Sequence, residues 1–312
     1  MKIFDCFMYY DEDLILDLRL NYLNNYVDEF IIVESTYTHS GEERKLLFDT
    51  NRYPDFKKKI NYIILNDPPP NLSKINDKDS QHEKNTKLIL NAVKRENLQR
   101  DTILKGLNAA DADDIIIISD VDEIPNLEDN NIKDTKNKII LFRQKYFYYK
   151  FNLKLDDYPW HGSKACRKKD LISPQWLRNI KDKIYPFWRV DTLFSKKKYQ
   201  DIQIVHEGGW HFSNIKTPAD IEKKMKTYLH HREYELNPLG EKKISEIIKE
   251  KKPLYNLKTD MREDKFDLSD QLIVADIKEL PYYIQKNLDK YKNWLNWFMK
   301  NNAIVTLADS NY

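Results

Sequence analysis

Short apolar runs alternate with stretches of helical period through the first third of the chain. Ile3-Phe4-Asp5-Cys6-Phe7-Met8 reads as a strand. Asp11 to Asn25 reads as a helix, with Leu14, Leu18 and Tyr22 on one side and Leu16, Leu20 and Leu23 beside it. Phe30-Ile31-Ile32-Val33 is a second buried strand, ending in Glu34-Ser35. Residues 60–65 form a third, closed by Asn66-Asp67 and three prolines. Residues 71–84 are polar and loop-like, and a helix from about Glu83 to Ala109 leads into Ile115-Ile116-Ile117-Ile118. Four β-branched residues in a row predict a strand buried on both faces. The order strand, helix, strand, strand, helix, strand predicts an α/β fold, a mainly parallel sheet flanked by helices.

Beyond Pro125 the texture changes. Residues 138–142 read as a strand, and 144–152 carry Tyr146, Phe147, Tyr148, Tyr149 and Phe151. Such a run is either core and sheet surface or a platform for sugar rings. Residues 202–205 are another strand, and from about Thr217 the chain reads as helical and charged. Lys- and Glu-rich runs at 241–252 are solvated helix faces, and Trp294, Trp297 and Phe298 are spaced as a helical packing stripe.

At 312 residues the chain accommodates one large α/β domain, or one domain with an appendage. With 52 Lys+Arg against 50 Asp+Glu, there is no global footprint for nucleic acid. Glycine occurs only six times, and neither G-x-G-x-x-G nor G-x-x-x-x-G-K-[ST] is found, so neither a dinucleotide fingerprint nor a P-loop holds phosphates. Adjacent Gly208 and Gly209 mark a position that needs special backbone geometry. Two cysteines, Cys6 and Cys166, give no disulfide framework and no zinc spacing, and fit a reducing compartment. There is no signal segment and no apolar run of the ~18 residues that span a bilayer. A cytoplasmic protein is expected, with peripheral membrane contact left open.

The candidate chemistry begins where the isoleucine strand ends, at Ser119-Asp120-Val121-Asp122-Glu123-Ile124-Pro125. Ligands of open α/β sheets bind in the crevice at the carboxyl ends of the strands. Asp120 and Asp122 lie two apart, so in extended chain they point the same way. Like charges so placed are stabilised by a divalent cation with oxygen ligands, Mg²⁺ or Mn²⁺, between them and a phosphate. An acidic turn alone is the simpler account. A second constellation, His206-Glu207-Gly208-Gly209-Trp210-His211-Phe212-Ser213, has a turn able to aim a histidine and Glu207 into one cleft. Its alternative is a tight turn with a buried Trp. His161-Gly162-Ser163 looks like a further binding loop. Arg95 or Arg100, on the helix before the acidic strand, suits a diphosphate, or else surface ion pairing.

Four blocks together resemble glycosyltransferase family 17. They are Phe4-Asp5 through Arg19-Leu20 to Val27-Asp28-Glu29-Phe30-Ile31-Ile32-Val33-Glu34-Ser35; Glu96 through Gln99-Arg100 to Gly106-Leu107; Asp114-Ile115 to Pro125; and Glu207-Gly208-Gly209-Trp210-His211-Phe212-Ser213. The resemblance covers 3–235. It implies a GT-A-like, Rossmann-type domain over 1–235, with 236–312 expected as a helical extension packed on it. Vertebrate members carry an N-terminal anchor, whereas this chain begins at its first strand, so a free-standing microbial or viral form is expected.

The resemblance also implies inverting, metal-dependent transfer of a sugar, N-acetylglucosamine from UDP-GlcNAc, to a glycan acceptor hydroxyl. On this expectation Asp122 holds Mn²⁺ or Mg²⁺, Asp120 holds metal or donor ribose, and His211 is a further ligand. Glu34, Arg95, Arg100 and His161 contact the nucleotide-sugar donor. Glu207 is the first candidate for the base that takes the acceptor proton, with Asp191 and Asp157 as alternatives. Two other classes are a metal-dependent phosphohydrolase, disfavoured by Ile124 and the lack of a second acidic pair, and an inactive sugar-binding module, disfavoured by Asp120 and Asp122.

Overall fold

Strands β1 (Ile3–Met8), β2 (Glu29–Ser35), β3 (Ile60–Leu65) and β4 (Ile115–Asp120) run parallel, in the spatial order β3-β2-β1-β4. Helix α1 (Asp13–Leu23) joins β1 to β2, and α2 (Gln81–Asp101) with a 3₁₀ stretch, Thr102–Leu107, joins β3 to β4. The computed structural model describes residues 1–312 apart from 184, 186–187, 193, 229–230, 237, 256–269, 297, 301–302 and 306–312.

The isoleucine run is explained by a two-sided core. Ile115 and Ile117 pack with Ile3, Phe7 and the leucines of α1, whereas Ile116 and Ile118 pack with Phe4, Cys6, Ile103 and Leu107. With both faces covered, β4 is apolar up to Ser119, whose buried hydroxyl donates to Ser163 Oγ, and Asp120, which lies opposite Met8 at the strand's carboxyl end. Helix α2 starts earlier than its apolar period suggested, because Ser80 and Glu83 form a reciprocal capping box. It ends at Asp101, short of Ala109, where the chain tightens into 3₁₀ turns.

After β4 the chain forms β5 (Glu123–Pro125), β6 (Ile139–Phe142), β7 (Gln144–Tyr148), β8 (Leu153–Trp160) and β9 (Lys164–Arg167). Helix α3 (Pro174–Arg178), β10 (Ile202–Val205), β11 (Gly209–Ser213) and helices α4 (Pro218–Thr227), α5 (His231–Leu236) and α6 (Gly240–Lys249) follow. The first sheet has seven strands in the order β10-β6-β9-β4-β1-β2-β3. It is parallel except for β9, which runs antiparallel to both β4 and β6. β5, β7, β8, β11 and β12 (Ile273–Val274) make a second sheet, ordered β12-β8-β7-β11-β5, in which β11 and β7 are parallel. Val121 and Asp122 are therefore the whole of the connection from β4 in the first sheet to β5 in the second.

The aromatic run is core, not a platform for sugars. Tyr146, Phe147, Tyr148, Tyr149 and Phe151 are all at most 4% exposed, the tyrosines against Ile221, Met225, Ile244 and Ile247 of α4 and α6. The stretch after 236 is helical only in part. It lends β12 to the second sheet, and short helices α7 (Tyr282–Lys286) and α8 (Leu288–Tyr291) pack near α1, with Tyr291 bonded to Asp17. The expected helical stripe is not formed: Trp294 ends a 3₁₀ turn, Phe298 begins a short hairpin strand, and Trp297 lies outside the described residues. Cys6 and Cys166 are free and buried. Among the described residues, no helix is long and apolar enough to cross a membrane.

The β4–β5 connection is clamped from below by Arg19 of α1, a fully buried arginine. Its Nε and Nη2 donate to the two oxygens of Asp5 on β1, at 2.7 and 2.6 Å. Its Nη1 donates to the carbonyl oxygens of Asp120, Val121 and Glu123, at 3.1, 3.1 and 2.7 Å. Removing one partner of a buried pair strands the other charge. Arg19→Met should therefore cost about 3–5 kcal/mol in urea unfolding. A loss below ~1 kcal/mol, the scale of an exposed pair, would show that the clamp does not hold the fold.

Candidate active site at the sheet junction

Asp120 ends β4 with both carboxylate oxygens engaged. Arg100 Nη2, from the last turn of α2, donates to Oδ1 at 2.9 Å, and Arg178 Nη2, from the end of α3, donates to Oδ2 at 2.8 Å. Burial alone would raise its pKa, but Arg178 and then Arg100 hold the carboxyl far below the usual range. Arg178 Nη2 also donates to Glu123 Oε1 at 2.7 Å. Glu123 is fully buried and closes the ring. Its Oε1 accepts from Trp160 Nε1 at 2.7 Å, and its Oε2 accepts from the Asp120 backbone N–H at 2.8 Å. Arg100 further binds Glu96 at 2.9 Å and the side-chain oxygen of Gln175, while its Nε is buried without a partner among the described residues.

Gly162 makes this ring possible. A Cβ there would fall 2.3 Å from Glu123 Cδ and 2.6 Å from Trp160 Nε1, and its carbonyl accepts from Arg178 Nη1. Beside Arg100, His39 in the loop after β2 bonds Gln99 Oε1 at 3.1 Å. Burial pushes the pKa of His39 down, so its imidazole is neutral at pH 7.

Asp122 meets different partners. Val121 between the two aspartates is buried in the core, and Asp122 faces His211 and Lys224 where Asp120 meets the arginines. Asp122 Oδ1 lies 3.6 Å from His211 Nε2, and Oδ2 lies 4.0 Å from Lys224 Nζ of α4. Burial would raise its pKa, but His211 and then Lys224 hold it below the usual range. Its carbonyl accepts from Phe212 N at 2.8 Å, locking the turn to β11. His211 packs against the rings of both Tyr146 and Trp160, with centroids at 4.4 and 5.0 Å. Trp160 therefore touches both halves of the site, through its N–H on Glu123 and its ring on His211. The register that delivers His211 opposite Glu123 depends on Gly209, at φ +124°, where a Cβ would stand 2.1 Å from the Ile124 carbonyl oxygen. Asp122 also lines a cleft of about 310 Å³ with Asp11, Asn214, Lys216, Asp220 and Trp294.

The fit to a divalent cation follows from these distances. A separation of 3.6 Å is too long for a hydrogen bond, but two ligands each ~2.1 Å from one ion can span it. His211 Nδ1 is buried with no hydrogen-bond partner among the described residues. Asp122 and His211 thus fit a cation as a pair. Asp120 does not join them, since two guanidinium groups occupy it, and among the described residues no group of three His, Cys, Asp or Glu side chains stands close enough to hold a metal.

Other expected residues lie apart from this centre. Glu34 is buried and fully employed, accepting from Arg44, Leu47 N, Phe48 N and Tyr62 OH, so it organises the 44–48 loop. Arg95 donates to the carbonyls of His39 and Ser40 and props that loop. His161 pairs with Asp182 at 3.2 Å, next to Gly162. Glu207 is 73% exposed and pairs with Lys145, the residue opposite Trp210 in the sheet, while His211 faces the other side of β11. Asp191 is exposed, and Arg189 and Lys198 hold its pKa far down, which makes it a poor base. Asp157 is exposed on β8 at φ +54°. Sequence reasoning missed Arg178, Trp160, His39, Lys224 and the closing role of Glu123. Only Glu123 and Trp160 had a local signal, one inside the acidic motif and one beside His161-Gly162.

A model of the family described as Glycosyltransferase family 17 matches residues 1–297. The match runs well beyond 235, in keeping with the strand that β12 adds to the second sheet. No curated protein matches the chain.

Gly162→Ala should cost about 1–3 kcal/mol, the range for overpacking a buried site. It should also change the fluorescence contributed by Trp160. An unchanged melting curve would mean that the Glu123 ring has slack.

Proposed function

The chain belongs to glycosyltransferase family 17, and from that premise we propose an inverting, metal-dependent reaction, moving N-acetylglucosamine from UDP-GlcNAc to a glycan hydroxyl at a GT-A-type crevice. As a glycosyltransferase it has a sugar donor and an acceptor as partners. The observation that carries the finer reading is the division of labour at the β4 exit: two arginines at Asp120, and an Asp122–His211 pair with cation spacing beside them.

Mn²⁺ or Mg²⁺ would be held by Asp122 and His211 Nε2, with waters and diphosphate oxygens at the remaining positions. Bound there, it supplies charge compensation for the departing diphosphate. The chain's own residues do the rest. Arg100 and Arg178, whose Nη groups are taken by Asp120, Glu96 and Glu123, act by offsetting those carboxylates beside the crevice rather than by gripping phosphate oxygens. Asp120, about a third exposed, remains open to a ribose hydroxyl while the arginines hold it ionised. His39, neutral, offers a hydrogen bond without competing for the diphosphate charge. Lys224 adds a positive charge on the far side of Asp122. The base must face the acceptor hydroxyl, away from the diphosphate. The cleft lined by Asp11, Glu12, Asp13 and Asp220 as well as Asp122 offers carboxylates there, and Glu207, Asp191 and Asp157 are not among them.

The test is a panel of nucleotide sugars with Mn²⁺, followed by release of nucleoside diphosphate. Release from UDP-GlcNAc in the presence of a glycan acceptor supports the proposal, whereas inorganic phosphate as the product would favour a phosphohydrolase. Asp122→Asn should lower turnover by at least roughly 10²-fold, the scale for removing one preorganised charge-stabilising group. Its melting temperature should hardly move, because Asp122 makes no short side-chain bond. His211→Ala should shift the metal concentration for half-maximal activity upward by about tenfold or more. An unshifted metal titration with a lowered melting point would leave His211 a packing residue.

A further inference from the structure

We propose that the exposed groups Lys181, Lys183, Trp188, Val190, Phe194, Lys196 and Lys197, after α3, form a docking surface for an anionic lipid bilayer. The inference goes beyond the transferase reading and does not depend on it. Large apolar side chains exposed one at a time are ordinary, but here three cluster in one loop. Phe194 is 86% exposed, Trp188 66% and Val190 62%. Around them stand Lys181, Lys183, Lys196 and Lys197, all exposed and without an ion pair among the described residues. The loop's two acids do not offset these four lysines: Asp191 is paired with Arg189 and Lys198, and Asp182 alone, in contact with His161 at 3.2 Å, faces them. What remains outward is uncompensated positive charge beside aromatic and aliphatic tips. Such segments bury their apolar tips at the headgroup boundary while their lysines meet anionic lipid.

The loop is built to keep these groups together. Lys181 N donates to the Lys197 carbonyl at 2.9 Å, which ties its two ends, and Trp176 Nε1 donates to the Lys196 carbonyl at 2.7 Å. The Tyr185 ring lies within 6 Å of both Arg189 and Lys198. It is also joined to the site. It leaves directly from Arg178, the partner of Asp120 and Glu123. Buried Lys164 Nζ donates to the carbonyls of Arg178 and Ile180, at 2.7 and 2.6 Å.

The experiment is sedimentation of the whole chain with vesicles of two parts phosphatidylcholine to one part phosphatidylserine, against vesicles of phosphatidylcholine alone. No donor or metal is added, so the outcome is independent of catalysis. Binding is expected to the anionic vesicles only. It should weaken between about 0.1 M and ~1 M salt, as the Debye length falls from about 10 to ~3 Å. The combined Lys183→Gln, Lys196→Gln, Lys197→Gln variant should bind about a hundredfold more weakly, at roughly fivefold per basic residue. Trp188→Ser with Phe194→Ser should also lose binding while keeping the wild-type melting curve. If that double variant does not fold, Phe194→Ser alone serves. No binding to anionic vesicles, or equal binding by all variants, overturns the proposal. So does self-association of the chain that is lost in the Trp188 and Phe194 variant, which would make this face a contact between copies.

Discussion

One buried guanidinium holds together what the chain would otherwise leave apart. Arg19 reaches from the first helix to Asp5 in the middle of β1 and to three carbonyls of the turn between β4 and β5. Those carbonyls belong to backbone leaving one sheet and entering another, so no regular ladder satisfies them. An unpaired carbonyl in this core would be costly. Arg19 removes that cost at Asp120 and Val121, shares the Glu123 carbonyl with Ser163 Oγ, and finds its counter-ion in Asp5. The sharp turn that parts Asp120 from Asp122 is thereby fixed, and with it the direction in which each carboxylate points.

The arrangement of charge follows from the turn. Three acids, Glu96, Asp120 and Glu123, meet two arginines, Arg100 and Arg178, on one side. On the other side Asp122 meets His211 and Lys224 at longer range. The first set is tightly hydrogen-bonded and rigid, as a preorganised electrostatic site requires. The second is open, with contacts too long to be saturated. Trp160 couples the two through its N–H and its ring, so displacement of either half is felt by the other.

Much of this was legible in the residues. β1 to β4, the acidic exit from Ile115–Ile118 and the glycine pair beside Trp210 carry strong local signals, because two-sided burial and positive φ leave few residue types to choose from. β9 was not legible. Lys-Ala-Cys-Arg has no apolar run, and Lys164 is tolerated inside only because two carbonyls receive its ammonium. Arg178 and His39 were not legible either, since nothing near them in sequence shows that folding brings them to Asp120 and Arg100. Glu207 misled for the opposite reason. Its neighbours Gly208, Gly209 and His211 are structurally demanding, but Glu207 lies before β11, across the positive-φ Gly209, and stays with Lys145 at the rim.

The central claim is that the β4 exit binds a diphosphate jointly with a cation. The direct measurement is calorimetric titration of UDP into the protein with and without Mn²⁺. Linkage requires each ligand to tighten the other by the same factor. The account predicts UDP binding at least about tenfold tighter with Mn²⁺, equivalent to about 1.4 kcal/mol, and little preference when UMP replaces UDP. UDP affinity that is the same with and without metal, or UMP binding that gains as much from metal as UDP does, would contradict it.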